Sequence, residues 1–216
     1  MTSNESNLRQ SLRNISDIYH WVAGLVQVGL DPALGKLPSP LERPDNNITR
    51  LSSRSLSQPD GWLCWRVGLH YIPAEEPGPS WKSVLVVVDF WPENETVPQL
   101  LLVGAARWSK PPQAVGAWNM RFFEERLGLI NSVAFRSEPS EGVVSVTAKA
   151  TSGESGDGFD SAVAFATPLV TLGPSNLEER VLGPLRSLLA DEVGAATHAL
   201  KATDHVAPSF WAGQQS

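Results

Sequence analysis

The stretch SVLVVVDFW, residues 83–91, constrains the fold most strongly because it is apolar on both faces. Successive side chains of a strand point to opposite faces, so a strand of this composition buries both of them. Such a strand belongs in the middle of a sheet, with a covering layer above and below it. We therefore expect a sheet with helices packed on it.

Alternating or apolar runs predict five more strands, at residues 62–72, 99–108, 129–137, 142–150 and 159–167. Short loops join sequential strands, which favours antiparallel meanders, because a parallel crossover needs a dozen residues or more. A short helix over 118–128 separates the two groups; its apolar side consists of Met120, Phe123 and Leu127, and Gly128 follows at a C-terminal cap position.

Two longer helices are predicted at the ends of the chain. The first runs from about Asn4 to Val28, and Gly29 with Pro32 ends its pattern. Its apolar stripe consists of Leu8, Leu12, Ile15, Ile18, Val22 and Leu25. The last helix begins near Ser175 and ends at Lys201, with a kink or a split expected at Pro184. The order predicts an α+β fold: helix, three-stranded antiparallel meander, helix, three-stranded meander, C-terminal helix.

The predicted domain covers residues 1–201 and contains one insertion. Residues 31–60 form this insertion, which is rich in proline and serine and has little periodicity, so helix and strand are both improbable there. Residues 202–216 are expected to form a flexible tail.

Composition excludes several classes of protein. The 216-residue chain has a formal net charge of −6 and no basic run, which disfavours nucleic acid and anionic membranes as partners. No window approaches the ~18 apolar residues of a membrane span. The polar N-terminus lacks the apolar core of a signal peptide, so we expect a cytoplasmic protein.

The second half of the chain resembles a known superfamily. Three stretches carry the resemblance: VGAWNMRFFEERLGLINSVAFRSE (115–138), GVVSVTAKA (142–150), and the stretch from FDSAVAFAT (159–167) through LLADEVGAATHAL (188–200). Together with the predicted element order, they resemble the type III secretion chaperone and YbjN-like superfamily, mainly over residues 115–200. This resemblance implies a non-enzymatic protein, often dimeric, that binds a protein partner through sheet and helix surfaces.

Motifs for catalysis are missing from the sequence. Among the four histidines, none forms an H-x-x-x-H pair, and the single cysteine excludes a multi-cysteine metal site. Cys64 and His70 lie six residues apart on one predicted strand, about 20 Å at 3.3 Å per residue, so they cannot act together. No phosphate loop or nucleophile elbow occurs. We therefore expect no catalytic, cofactor-binding or metal-binding residues.

The eight tryptophans are the strongest candidates for binding. Trp91, Trp108 and Trp118 lie at strand or loop ends, and Trp108 and Trp118 flank the polar loop SKPPQAVGA (109–117). Tryptophan serves interfaces and cores alike, so these residues either receive a partner peptide or pack in the core. The pair Phe210–Trp211 could act as a tethered ligand for such a patch.

Two other functions stay open. A small-molecule-binding protein or enzyme would need a pocket between sheet and helices, with Trp65, His70 and Tyr71 as its lining; alternation places His70 on the opposite face from the other two. An immunity or inhibitor protein would use the acidic charge to block a basic toxin.

The glycine-rich stretch TSGESGDGFD, residues 151–160, resembles a ligand loop at first sight. It lacks the distal glutamate of a calcium loop, and it precedes a strand instead of the helix that a phosphate site needs. Its glycines suit an irregular hairpin between two antiparallel strands.

Overall fold

The structure is a computed structural model that describes residues 3–43, 48–51, 66–75, 81–90, 97–112, 120–149 and 158–212. The helices within these ranges are α1 (Ser3–Gly24), α2 (Asp31–Gly35), α3 (Met120–Arg126), α4 (Gly183–Leu189) and α5 (Val193–Lys201). The strands are β1 (Leu41–Glu42), β2 (Ile48–Leu51), β3 (Arg66–Pro73), β4 (Trp81–Asp89), β5 (Leu100–Trp108), β6 (Phe135–Pro139), β7 (Val144–Ala148) and β8 (Phe159–Pro168).

The described strands form one antiparallel sheet in the order β1-β3-β4-β5-β8-β7-β6, with β2 also paired to β3. The meanders β3-β4-β5 and β6-β7-β8 meet edge to edge, because β5 pairs with β8 along nearly its whole length. The α+β class is confirmed. The two predicted meanders therefore share one continuous sheet.

The strand count differs from the prediction of two groups of three. β1 and β2 are additional, and both pair with the outer edge of β3. They lie inside residues 31–60, where helix and strand were predicted to be improbable, and α2 lies there too. The backbone groups along the edge of β3 provide hydrogen-bonding partners that even a segment of weak periodicity can use. That prediction was wrong for the described residues of α2, β1 and β2.

The strand β4 is buried on both faces, as its composition predicts. Val84, Val86 and Val88 point to one face and Leu85 and Val87 to the other, and all five are 0% exposed. We call the first face the terminal-helix face, because the buried residues of α1, α4 and α5 pack there. The second is the α3 face, where Met120, Phe123 and Leu127 pack. Helices thus cover both sides of the sheet.

The first helix continues beyond the predicted end at Val28. A π-helical segment (Leu25–Leu30) joins α1 to α2, and Pro32 lies in the first turn of α2, where its missing N–H is not needed. Gly29 is not a stop signal: a Cβ at this position would lie 2.5 Å from a side-chain atom of Leu177. The glycine leaves room for Leu177, a long-range contact that local sequence does not reveal.

The C-terminal helix is split, but not at Pro184. A π-helical segment (Glu178–Leu182) precedes α4, and Pro184 lies in the first turn of α4. The break between α4 and α5 falls at residues 190–192, where Asp191 has a φ of 69°. The middle helix agrees with its prediction, and Gly128 follows α3 with a φ of 74°.

Other predicted boundaries need smaller changes. Residues 129–134 precede β6 and are not strand, although Leu129 and Ile130 are buried. β7 and β8 are antiparallel neighbours, as the predicted hairpin requires, whereas most of the 151–160 stretch lies outside the described residues.

The segment after α5 differs from the predicted flexible tail. It contains a 3-10 turn at Pro208–Phe210, and the N–H of Val206 donates to the carbonyl of Ala166 in β8 at 3.0 Å. Trp211 is 0% exposed and belongs to the core on the α3 face.

Candidate functional site

The apolar stripe of α1 changes its environment along the helix. Val22 and Leu25 are 6% and 8% exposed and pack on the terminal-helix face. Toward the N-terminus, Leu12 is 56% exposed and Ile18 is 43% exposed. The same face of one helix is therefore core at one end and surface at the other.

Ile15 and Ile18 of this stripe line a groove of about 340 Å³ between α1 and the end of β8, and Leu12 lies one helical turn further toward the N-terminus. We call this the α1 groove; its described lining residues are Ile15, Ile18, Tyr19, Trp21, Phe90, Gln99, Leu169, Val170 and Leu172. None of these residues is charged. Val170, on the opposite wall from α1, is 72% exposed. An apolar patch of this kind on a surface marks an interaction site more often than an isolated apolar side chain does.

Both walls of the α1 groove are held in place by contacts within the protein. The rings of Tyr19 and Phe90 meet edge to face, with centroids 4.9 Å apart. On the other wall, the 3-10 turn Leu169–Thr171 carries Val170, and the N–H of Leu169 donates to the carbonyl of Gln99 at 2.7 Å. The groove is thus preformed, which lowers the entropic cost of binding.

Asn176 further fixes the turn that carries Val170. Its Nδ2 donates to the carbonyl of Thr171 at 2.8 Å, and its Oδ1 accepts from the N–H of Gly173 at 2.9 Å. Arg180 donates to Oγ1 of Thr171 at 2.9 Å. These bonds connect the turn to the start of the C-terminal helical segment.

A second apolar cleft of about 390 Å³ continues from Tyr19 and Phe90 toward β3. Arg43 lies at its end, and its Nη2 donates to Oδ2 of Asp31 at 2.9 Å. The hydroxyl of Tyr71 donates to the other oxygen of Asp31 at 2.7 Å. Burial and the Asp31 carboxylate raise the pKa of Tyr71, so this hydroxyl stays protonated and works as a donor. The charge of Arg43 is already matched by Asp31.

A serine–histidine contact lies in the interior of the α3 face. Nε2 of His70 is 2.8 Å from Oγ of Ser83, and Nε1 of Trp108 donates to the same oxygen at 2.8 Å. His70 and Ser83 are both 0% exposed, so solvent does not reach the pair in this conformation. Burial, together with the positive charge of Arg126, holds the pKa of His70 well below its usual range.

The pKa of His70 predicts a pH dependence of stability. The folded protein keeps this imidazole neutral, whereas the unfolded chain protonates it near pH 6.5, so below that pH the unfolded state binds one more proton. The free energy of unfolding should therefore fall as pH drops from 7.5 to 5.0, with about 2 kcal/mol of the loss due to His70. Urea unfolding at both pH values should show this part of the loss disappearing in His70→Gln.

The control for this experiment is His198→Gln, because His198 is exposed on α5. This variant should keep the pH dependence of the wild type. Equal pH dependence in His70→Gln and the wild type would contradict a neutral, buried His70.

Of the three tryptophans predicted to bind a partner, the structure describes Trp108. Trp108 is 1% exposed; its ring stacks on that of Phe122, with centroids 6.1 Å apart. Its position matches the core-packing alternative. Trp91 and Trp118 lie outside the described residues, as do Trp65 and Cys64. His70 and Tyr71 are buried on opposite faces of β3, so they do not line a common pocket.

The residues of the α1 groove were not predicted as a site. The spacing of apolar residues is the same in both halves of α1, so the sequence predicts one buried stripe. One signal was present: 28 helical residues, from Ser3 to Leu30, extend about 42 Å, whereas a nine-residue strand such as β4 extends about 30 Å. A helix longer than the sheet beneath it leaves one end uncovered.

The described residues show neither a membrane span nor a cluster suited to a metal ion. Within the described ranges, no helix combines the length and the apolar composition needed to cross a membrane. The same residues contain no cluster of three or more histidine, cysteine, aspartate or glutamate side chains suited to a metal ion. Comparisons of this chain with protein-family models, with curated proteins and with solved structures find no match.

Proposed function

We propose that this chain is a non-enzymatic protein-binding domain, a chaperone-like or adaptor protein that holds an apolar segment of a partner in the α1 groove. The observation that carries this proposal is the exposed apolar stripe of α1, with Leu12 56% and Ile18 43% exposed. Water-exposed apolar area of this kind gains about 25 cal/mol for each Å² that a partner covers.

The element order supports the chaperone-like character of the proposal. Apart from α2 and the added strands β1 and β2, a first helix, three strands, a middle helix, three strands and C-terminal helices follow each other, which is the order we expect of the type III secretion chaperone and YbjN-like superfamily that residues 115–200 resemble. Proteins resembling this superfamily bind partners through sheet and helix surfaces. We propose the cytoplasm as the compartment and a homodimer as one assembly of the chain.

The chemistry of the α1 groove favours a segment with apolar side chains and few charges. Its described lining has no charged residue that would pair with a charged partner. The lining also contains side chains that can form hydrogen bonds, those of Tyr19, Trp21 and Gln99, among its apolar residues. Such a mixture suits a bound peptide, whose backbone N–H and carbonyl groups need hydrogen-bonding partners. An apolar side chain of the partner would fill the space between Ile18 and Val170.

The binding proposal predicts a selective loss in the variant Leu12→Asp/Ile18→Asp. Leu12 is 56% and Ile18 43% exposed in the unbound protein, so each substitution should lower the free energy of unfolding by no more than about 1 kcal/mol. Partner binding should weaken by about 30-fold or more, because interface anchors contribute about 2 kcal/mol. To measure partner binding, a photoreactive amino acid is placed at position 15, between the two substituted positions, and is cross-linked in native cytosol. Weaker binding appears as loss of the cross-linked products.

The matched control places the same photoreactive group at position 13. Arg13 is exposed on the same helix, about 160° around its axis from Ile15. Identical products from positions 13 and 15, or products at position 15 that survive the double substitution, would contradict a partner site in the groove. Products that contain only a second copy of this chain would replace the proposal with a homodimer interface.

A further inference from the structure

A separate pocket of about 450 Å³ lies between α4, the end of β3 and the start of β4. Its described lining residues are Leu37, Pro38, Ser39, Leu41, Pro73, Lys82, Arg186, Leu189 and Ala190. The lining shares no residue with that of the α1 groove. Its volume falls within the range of about 300–1,000 Å³ that is typical of small-molecule sites.

The charges of this pocket have a single sign. Lys82 and Arg186 are the charged residues among its described lining, and both are cations in a chain with a net charge of −6. The other described lining residues are apolar apart from Ser39. An apolar cavity with a few convergent polar groups selects a ligand with an apolar body and one polar end.

The cations near the pocket outnumber the acids that pair with them. Nζ of Lys82 is 3.0 Å from Oδ2 of Asp191, and Arg107 pairs with the other oxygen of the same carboxylate. Arg186 pairs with Glu178. Neither carboxylate lines the pocket, so Lys82 and Arg186 are the charged groups that its described lining presents to a ligand. Partial burial and the charge of Arg107 lower the pKa of Lys82, and a bound anion would offset both effects.

The polar end of the pocket is fixed by the C-terminus of α4. The N–H groups of Ala190 and Asp191 donate to the carbonyls of Arg186 and Leu188 at 2.9 and 3.1 Å. Lys82 donates to the carbonyl of Leu189 at 2.6 Å. The ammonium group is thus held at the pocket instead of extending freely into solvent.

We propose that this pocket binds a small amphipathic carboxylate, of the medium-chain fatty-acid class, with its carboxylate at Lys82 and Arg186 and its chain against Leu37, Leu41 and Leu189. The two cations of the described lining attract a carboxylate, and the apolar lining matches an alkyl chain. This site is distinct from the α1 groove and adds a small-molecule ligand to the proposed protein partner.

Titration calorimetry with decanoate, decanol and acetate tests the proposal. Decanoate should bind at least 10-fold more tightly than decanol, because only decanoate carries the anionic head group, and acetate should show no measurable binding. Lys82→Gln/Arg186→Gln should weaken decanoate binding at least 10-fold. Arg186→Gln alone should weaken it about 3-fold or more, and this half-exposed residue can be replaced even if the double variant fails to fold.

The matched control is Arg121→Gln, which removes one positive charge from an exposed position of α3, on the opposite face of the sheet. It should leave decanoate binding unchanged. The proposal is overturned if decanol binds as tightly as decanoate, or if Arg186→Gln binds decanoate as tightly as the wild type does. It is also overturned if Leu12→Asp/Ile18→Asp abolishes decanoate binding while Arg186→Gln does not, because the ligand would then lie in the α1 groove.

Discussion

Trp211→Ala is expected to lower the free energy of unfolding by about 3–5 kcal/mol, as replacing a buried aromatic side chain by alanine does. The indole is 0% exposed in the core on the α3 face, and its Nε1 donates to the carbonyl of Val206 at 3.0 Å. Alanine would leave a cavity there and would remove the anchor of the segment after α5. Urea unfolding followed by circular dichroism measures the change.

Ser209→Ala is the control for Trp211→Ala, because Ser209 belongs to the same segment and is exposed. It should change the free energy of unfolding by no more than about 0.5 kcal/mol. Equal stability of Trp211→Ala and the wild type would mean that residues 202–212 are the flexible tail that the sequence predicts.

The strands of the central sheet were predictable because their signal is local. Residues 84–88 of β4 are all valine or leucine and are buried on both faces, so composition alone places this strand inside the sheet. The apolar side of α3 was predictable for the same reason: Met120, Phe123 and Leu127 are spaced for one helical face, and all three are buried. Periodicity reports which face of an element is apolar.

The remaining features depend on contacts between distant residues. β1 exists because the edge of β3 offers it hydrogen bonds, and Leu41 lies 32 residues before its partner Pro73. The segment after α5 is ordered because Trp211 enters a core made by other elements, although its own sequence is rich in loop-forming residues. Periodicity does not report whether another part of the chain covers an apolar face, and for this reason the exposed α1 groove was missed.

Arg66→Met is expected to lower the free energy of unfolding by about 3–5 kcal/mol. It removes the cation from a buried ion network that Arg66 forms with Asp89 and Glu124. Nε of Arg66 donates to Oδ2 of Asp89 at 2.9 Å, and Nη1 donates to Oε1 of Glu124 at 2.6 Å. This network connects β3, β4 and α3. Burial alone would lower the pKa of Arg66, but the charge of Asp89 and the hydrogen bond to Glu124 raise it instead.

The double variant Arg66→Met/Asp89→Asn separates the cost of an uncompensated charge from the loss of packing. Asp89 is 2% exposed, so without Arg66 its carboxylate stays in the interior and loses the charged hydrogen bond from Nε of Arg66. Adding Asp89→Asn should recover part of the lost stability. Arg121→Met is the control, because the Arg121 side chain is 68% exposed and its ion pair with Glu125 should contribute no more than about 1 kcal/mol. If Arg66→Met lowered the free energy of unfolding as little as Arg121→Met does, the network would not hold α3 against the sheet. Its three charges would then be solvated well enough to need no partner.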